Sequence, residues 1–182
     1  MLARVYLLLA EGFEEVEAIT PWDILLRAGA KVTAVAVGDC PVLKGSHGLE
    51  VKADTTLAMA TTNFDMLILP GGKIGTENLA KSEDVKNLLL HAVNAGKYIG
   101  AICAAPSILG KYGFLKGKNA ICFPGYESVL EGAIISNESV VADGNIITAK
   151  GMGVSQQFGH KLVEVLYGQD KAEEVKKQSQ YA

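Results

Sequence analysis

The 182-residue chain has only three cysteines, Cys40, Cys103 and Cys122, and no CxxC pair. An odd cysteine count argues against a disulfide framework, and the missing spacing argues against a zinc site. Both point to a reducing, cytoplasmic setting with no structural metal. Charge of one sign is also scarce. Seventeen basic residues face twenty acidic ones, the net charge is −3, and no basic block occurs. That disfavours nucleic acid as the main partner. No apolar run reaches membrane-spanning length. The N-terminal one, Val5 to Ala10, stops at Glu11-Gly12 and reads as a buried strand rather than an anchor or signal peptide. Repeats, low-complexity tracts and linkers are missing, so residues 1–182 read as one domain.

What the chain does have is glycine, 20 residues, and 49% hydrophobic residues. Apolar runs alternate with helical patterns. Val5 to Ala10, Lys31 to Val37, Asp65 to Leu69 and Tyr98 to Ile102 read as strands. Glu14 to Ala28, Ser82 to Ala95, Ser155 to Tyr167 and Lys171 to Lys177 read as helices, with Ser82 as an N-cap and Gly29 and Gly96 as C-terminal stops. Pro21 must kink the first helix or mark an irregular turn. Leu49 to Ala53 reads as a short exposed strand or hairpin arm. Val140 to Thr148 reads as a hairpin turning at Asp143-Gly144, and Ala120 to Phe123 as a strand holding an inert Cys122. The alternation predicts a mostly parallel sheet with helices on both faces. Ligand chemistry then belongs at the carboxyl ends of the strands.

One segment carries the most chemical information. The strand Tyr98 to Ile102 runs directly into Cys103, followed by Ala104, Ala105 and Pro106. Small residues and a helix-starting proline make a sharp strand-to-helix turn, the geometry of a nucleophile elbow with Cys in place of Ser. A helix start beside the sulfur favours its thiolate. The plain alternative is a small buried hydrophobe.

Acids cluster after the first strand at Glu14, Glu15 and Glu17, where capping is the ordinary role. At helical spacing Glu14 and Glu17 share a face and Glu15 points elsewhere. Glu17 beside Cys103 is expected to be held neutral by burial, to donate a hydrogen bond to the thiolate, and so to lower the cysteine pKa. Asp23 reads as a supporting or surface group. Pro70-Gly71-Gly72 closes a buried strand, and the backbone N–H groups of Gly72 and Ala104 are candidates for an oxyanion hole. Of the histidines, His47 lies in a loop within reach of such a site. His91 is expected exposed, and His160 packing or on the surface. Phe123 stands where a Cys–His pair would place its histidine. Gly151-Met152-Gly153 lacks the lysine and spacing of a P-loop and reads as close packing near the site.

Four stretches together, Ala10 to Ala18, Leu69 to Gly72, Ala101 to Pro106 and Gly151 to Ser155, resemble the ThiJ/PfpI superfamily in the branch of the parkinsonism-associated protein DJ-1. The resemblance implies a flavodoxin-like α/β sandwich and a homodimer. It implies a reactive Cys103, Glu17 as its protonated partner, and Gly72 and Ala104 as backbone donors. Arg27 and His47 match positions near the site or the dimer interface in that branch, and Glu14 and Gly71 are further candidates for lining the site. Its activities need no cofactor: conversion of small reactive carbonyls of the 2-oxoaldehyde class to hydroxy acids, with repair of glycated targets. A redox-sensing or chaperone-like role for the same cysteine is the alternative. An amidohydrolase or peptidase ranks third, because no histidine is placed for it.

Overall fold

The computed structural model describes residues 2–181. β1 (Arg4–Leu9) leads into α1 (Glu15–Arg27) and β2 (Lys31–Ala36). The hairpin β3 (Val42–Lys44) and β4 (Glu50–Lys52) precedes β5 (Thr55–Thr56) and β6 (Met66–Leu69). α2 (Lys73–Lys81) and α3 (Glu83–Asn94) follow, then β7 (Tyr98–Ile102), α4 (Pro106–Lys111), β8 (Asn119–Ala120) and β9 (Ile134–Ile135). The chain closes with the hairpin β10 (Val140–Asp143) and β11 (Ile146–Ala149), then α5 (Ser155–Tyr167) and α6 (Gln169–Gln178).

Seven strands form the main sheet in the order β10-β11-β7-β6-β1-β2-β5. Every pairing in it is parallel except that of β10 with β11. The period of two along a strand sends alternate residues of β1 to opposite faces. Val5, Leu7 and Leu9 join Phe158, Leu162 and Val163 of α5 in one core. Leu8 joins Leu79, Val85, Leu89, Ile108 and Leu109 of α2, α3 and α4 in the other. Burial on both faces is why these central strands read as unbroken apolar runs. Among the described residues no helix is long and apolar enough to cross a membrane.

Local signals explain most boundaries. Ser82 Oγ accepts from Val85 N at 3.3 Å and caps α3. Pro21 sits mid-helix in α1 without ending it. The β10–β11 turn is Gly144-Asn145 rather than Asp143-Gly144, because Asp143 still pairs with Ile146. After β8 the backbone leaves the ladder at Ile121, so Cys122 is buried core outside a strand. His91 is half-buried, its ring edge-on to Phe64 at 5.8 Å, rather than exposed.

The strand order also locates the site. From β1 the chain moves outward to β2 and β5, then crosses back to β6 on the other side of β1. Loops leaving β1 and β6 therefore diverge and open a crevice at their carboxyl ends.

Candidate functional site

Three chain turns meet at that crevice: the start of α1, the turn after β6, and the turn after β7. Cys103 follows β7 directly and has φ +64°. This left-handed conformation is costly for a residue with a side chain, on the order of 1–3 kcal/mol. It is held from both sides: Cys103 N donates to Ala149 O at 2.9 Å, and Cys103 O accepts from Phe123 N at 2.8 Å. The expected elbow is present, and Phe123 fixes it through its backbone.

Glu17 lies in the first turn of α1 and is 1% exposed. Its Oε2 accepts from Gly71 N at 2.9 Å, and its carboxyl hydrogen-bonds to the Cys103 sulfur. The sulfur also receives the backbone N–H groups of Gly72 and Ala104. The turn after β6 allows this closeness only without side chains. A Cβ on Gly71 would fall on Glu17 Oε2 and Cys103 Cβ, while Gly72 has φ +86° with Gly12 O and Glu14 N beside it. The structure thus brings together Cys103, Glu17, Gly71, Gly72 and Ala104.

Burial pushes the Glu17 carboxyl up to about 7, opposed by its hydrogen bonds to Cys103 and Gly71 and assisted by the nearby charge of Glu14. For the sulfur the direction differs from the sequence expectation. Burial pushes the Cys103 thiol up to about 12, and an ionised Glu17 adds to that through its charge and its hydrogen bond. The N–H groups of Gly72 and Ala104 pull the other way. A neutral Glu17 no longer repels the sulfur and donates to it instead. The two acids therefore titrate as a pair that carries one negative charge above neutral pH, with one proton between them.

Glu14 departs from the sequence reading. It is the N-cap, with extended φ −78° and ψ 120°, so helical spacing does not place it on the face of Glu17. Its carboxylate accepts from Ser46 Oγ at 3.0 Å, beside Glu15. Glu15 is the residue whose role was missed. Its carboxylate accepts from Ser46 Oγ (3.1 Å) and His47 N (2.7 Å), and pairs with His47 Nδ1 (2.9 Å). Burial alone would raise its pKa, but these bonds outweigh it and hold the carboxyl at about 2. The hydrogen bond to Glu15, then the charges of Glu14 and Glu15, raise the His47 pKa above its ordinary value. His47, Glu14 and Glu15 put three potential ligand atoms within 4.8 Å of one another. His47 thus latches the 45–49 loop to the start of α1.

Arg27 is not brought to this crevice. It ends α1, about 15 Å along the axis from Glu17, and donates from Nε to Asp23 at 2.6 Å on the exposed surface. Cys122 is buried, and burial pushes its thiol up to about 11, whereas Cys40 is exposed. Gly151 packs against the Phe123 ring, at the edge of an apolar groove of about 350 Å³ that also includes Met152.

Residues 3–165 match the DJ-1/PfpI family. The chain is 38% identical over 180 residues to Protein dj-1beta of Drosophila melanogaster, covering 97% of this chain and 96% of that protein. It is 33% identical over 171 residues to the glutathione-independent glyoxalase DJR-1.2 of Caenorhabditis elegans, covering 93% and 91%. Its fold matches the crystal structure of the C103A mutant of a DJ-1 superfamily protein from Salmonella typhimurium at a TM-score of 0.94, with 34% identity and full coverage of both chains. With that extent of match and the flavodoxin-like fold it shares with these neighbours, the chain belongs to the DJ-1/PfpI family.

Proposed function

We propose that the protein is a cofactor-free, cysteine-dependent enzyme that converts a small 2-oxoaldehyde and water into a 2-hydroxy acid. The observation that carries this reading is the Cys103–Glu17 pair: a sulfur held on a strained elbow, hydrogen-bonded to a carboxyl that titrates at about 7. A general acid–base works best when its pKa lies near the operating pH.

The sulfur adds to the aldehyde carbon as its proton passes to Glu17, forming the C–S bond of a hemithioacetal. The N–H groups of Gly72 and Ala104 face the sulfur and steady the negative charge developing beside it. Glu17 gives its proton to the new oxyanion and, again a carboxylate, removes hydrogen from the former aldehyde carbon. In the resulting enediolate the hydroxyl proton passes to the oxygen of the former ketone, and Glu17 returns the proton it took to the neighbouring carbon, leaving a thioester of the hydroxy acid. Water cleaves the thioester, releases the acid and restores the thiol. The aldehyde carbon is oxidised and the ketone carbon reduced, so no external oxidant or reductant is needed. The C. elegans relative named as a glutathione-independent glyoxalase supports this chemistry.

Methylglyoxal consumption and lactate formation by the purified chain, beside Cys103→Ala, test the reading. Turnover by the wild type that falls to the uncatalysed rate in Cys103→Ala is the expected result. Equal lactate formation by both proteins refutes it, and oxidation of Cys103 without any turnover supports the redox-sensing alternative. We also propose that the chain works as a single-domain cytoplasmic homodimer. Sedimentation at micromolar concentration should give about twice the 19.2 kDa chain mass, and a species of one chain mass would reject the dimer.

A further inference from the structure

The elbow at Cys103 leans on a short strap of chain. After β8 the backbone runs through Ile121 and Cys122 to Phe123, and two of its N–H groups donate to the main sheet. Ile121 N donates to Thr148 Oγ1 of β11 at 3.0 Å. Phe123 N donates to Cys103 O, just past the end of β7, at 2.8 Å. Cys122 between them is buried in the core that holds Ala101 and Ile146. The strap is thus pinned at both ends, once by a side chain and once by the elbow itself.

The fold explains why a side chain is needed. β11 lies between β10 and β7, and ladders on both sides use its backbone groups. The hydroxyl supplies the acceptor that this backbone has already spent. Threonine also suits a strand, being β-branched, whereas valine has the same shape without the oxygen. Thr148 is 1% exposed, so solvent does not replace the bond. A buried N–H without an acceptor is unfavourable, and a strap that loses Thr148 shifts to find one. Phe123 N–H shifts with it. Cys103 then loses one of the two bonds that hold its φ at +64°, and relaxation of that angle carries the sulfur away from Glu17 and from the N–H groups of Gly72 and Ala104.

We propose that Thr148 is a positioning residue for Cys103: its hydroxyl, acting through Ile121 and the Phe123 N–H, holds the elbow in the geometry that pairs the sulfur with Glu17. Its effect on turnover rests on the carbonyl chemistry proposed above; its effect on the sulfur does not.

The test compares Thr148→Val, which keeps the shape, with Thr148→Ser, which keeps the oxygen. Alkylation of Cys103 by iodoacetamide, followed peptide by peptide in a mass spectrometer across pH, reads the sulfur without any turnover. In Thr148→Val the acceleration through about 7 should be lost. The rate at about pH 7.5 should fall about tenfold, because a thiol freed from the pair titrates near its ordinary value. Thr148→Ser should restore both. Methylglyoxal turnover should show kcat lowered about 10–10²-fold in Thr148→Val with KM little changed, since a displacement of about 1 Å costs up to about 10²-fold. Thr148→Ala makes the same deletion without placing a methyl against the N–H, and serves if the valine variant does not fold. An unaltered alkylation profile in the folded valine or alanine variant overturns the proposal, whatever its stability, and so does a serine variant as impaired as the valine one. A wild type that turns over no methylglyoxal removes the carbonyl reading, while the alkylation comparison still decides the role of Thr148.

Discussion

Glu15 and Glu17 stand two residues apart in the first turn of one helix, both nearly shielded from solvent, yet one carboxyl is held at about 2 and the other at about 7. Burial acts on both in the same upward direction. What differs is the supply of donors. Glu15 meets two backbone N–H groups, a hydroxyl and an imidazole from the 46–49 loop. Glu17 meets one backbone N–H, from Gly71, and the Cys103 sulfur, itself an acid. Burial alone therefore does not decide the state of a carboxyl; the number of donors it meets does. The same helical turn yields a fixed anion that secures a loop and a mobile proton beside a sulfur.

The comparison breaks most severely at Glu17. Glu17→Gln keeps the shape of the group but cannot take up and return a proton, so 2-oxoaldehyde turnover should fall about 10²–10⁴-fold with the fold intact. In the wild type, alkylation of Cys103 should accelerate as pH rises through about 7, where the pair loses its first proton. In Glu17→Gln that bend should disappear, because the thiol then titrates alone. Unchanged turnover in Glu17→Gln would remove Glu17 from the chemistry.

Stability against pH sharpens the comparison, because the two slopes have opposite sign. Glu17 is raised from 4.5 on folding, so its favourable contribution is complete below that value and is lost as pH climbs through about 7. Its burial should cost about 3 kcal/mol at pH 8 relative to pH 4. Glu15 is lowered, so its contribution is complete above 4.5 and is lost as pH falls toward 2. Denaturant unfolding should find Glu17→Gln more stable than wild type at pH 8. Glu15→Gln should be less stable at pH 7 by about 1–3 kcal/mol, through loss of charge-assisted bonds to the loop. Equal pH profiles for the two variants would show that the contrast is not built into the fold.

The smallest effect is expected from His47→Ala. The His47 side chain is 76% exposed, and its backbone N–H still reaches Glu15. The Glu15 carboxyl should move upward but stay below its ordinary value, as read by carboxyl carbon shifts in an NMR titration. A return to the ordinary value would make the imidazole, rather than the backbone, the main support of the anion.

Much of this arrangement was legible in the sequence. The apolar runs gave the central strands because those strands are buried on both faces, where one continuous signal suffices. The elbow at Cys103 was legible because a strand, a cysteine, small residues and a helix-starting proline are consecutive. α2 was missed: it starts directly after Gly72, carries Gly75, and buries only Gly75, Thr76 and Leu79, too little for a clear period. The two-residue strands β5 and β9 are too short to leave any pattern, and β8 shares only Ala120 with the apolar stretch Ala120 to Phe123 that reads as a strand. The role of Glu15 was illegible because its partners lie more than thirty positions away in a loop. Glu14 was assigned to the wrong face because helical spacing was applied to a residue just outside the helix. His160 gave no sign of its burial, since a histidine at a helical core position reads like one at the surface.

The borders of the main sheet have a consequence for assembly. At one border stands β5, two residues long; at the other, β10 ends at Asp143, whose Oδ2 accepts from Asn119 N and Nδ2 while Lys118 lies 3.6 Å from Oδ1. A border that is short, or occupied by charged and amide side chains, offers a neighbouring chain few open backbone groups for continuing the ladder. Two copies of this protein would have to meet through helices and loops rather than by extending the sheet, and the same closure guards the fold against ribbon-like aggregation.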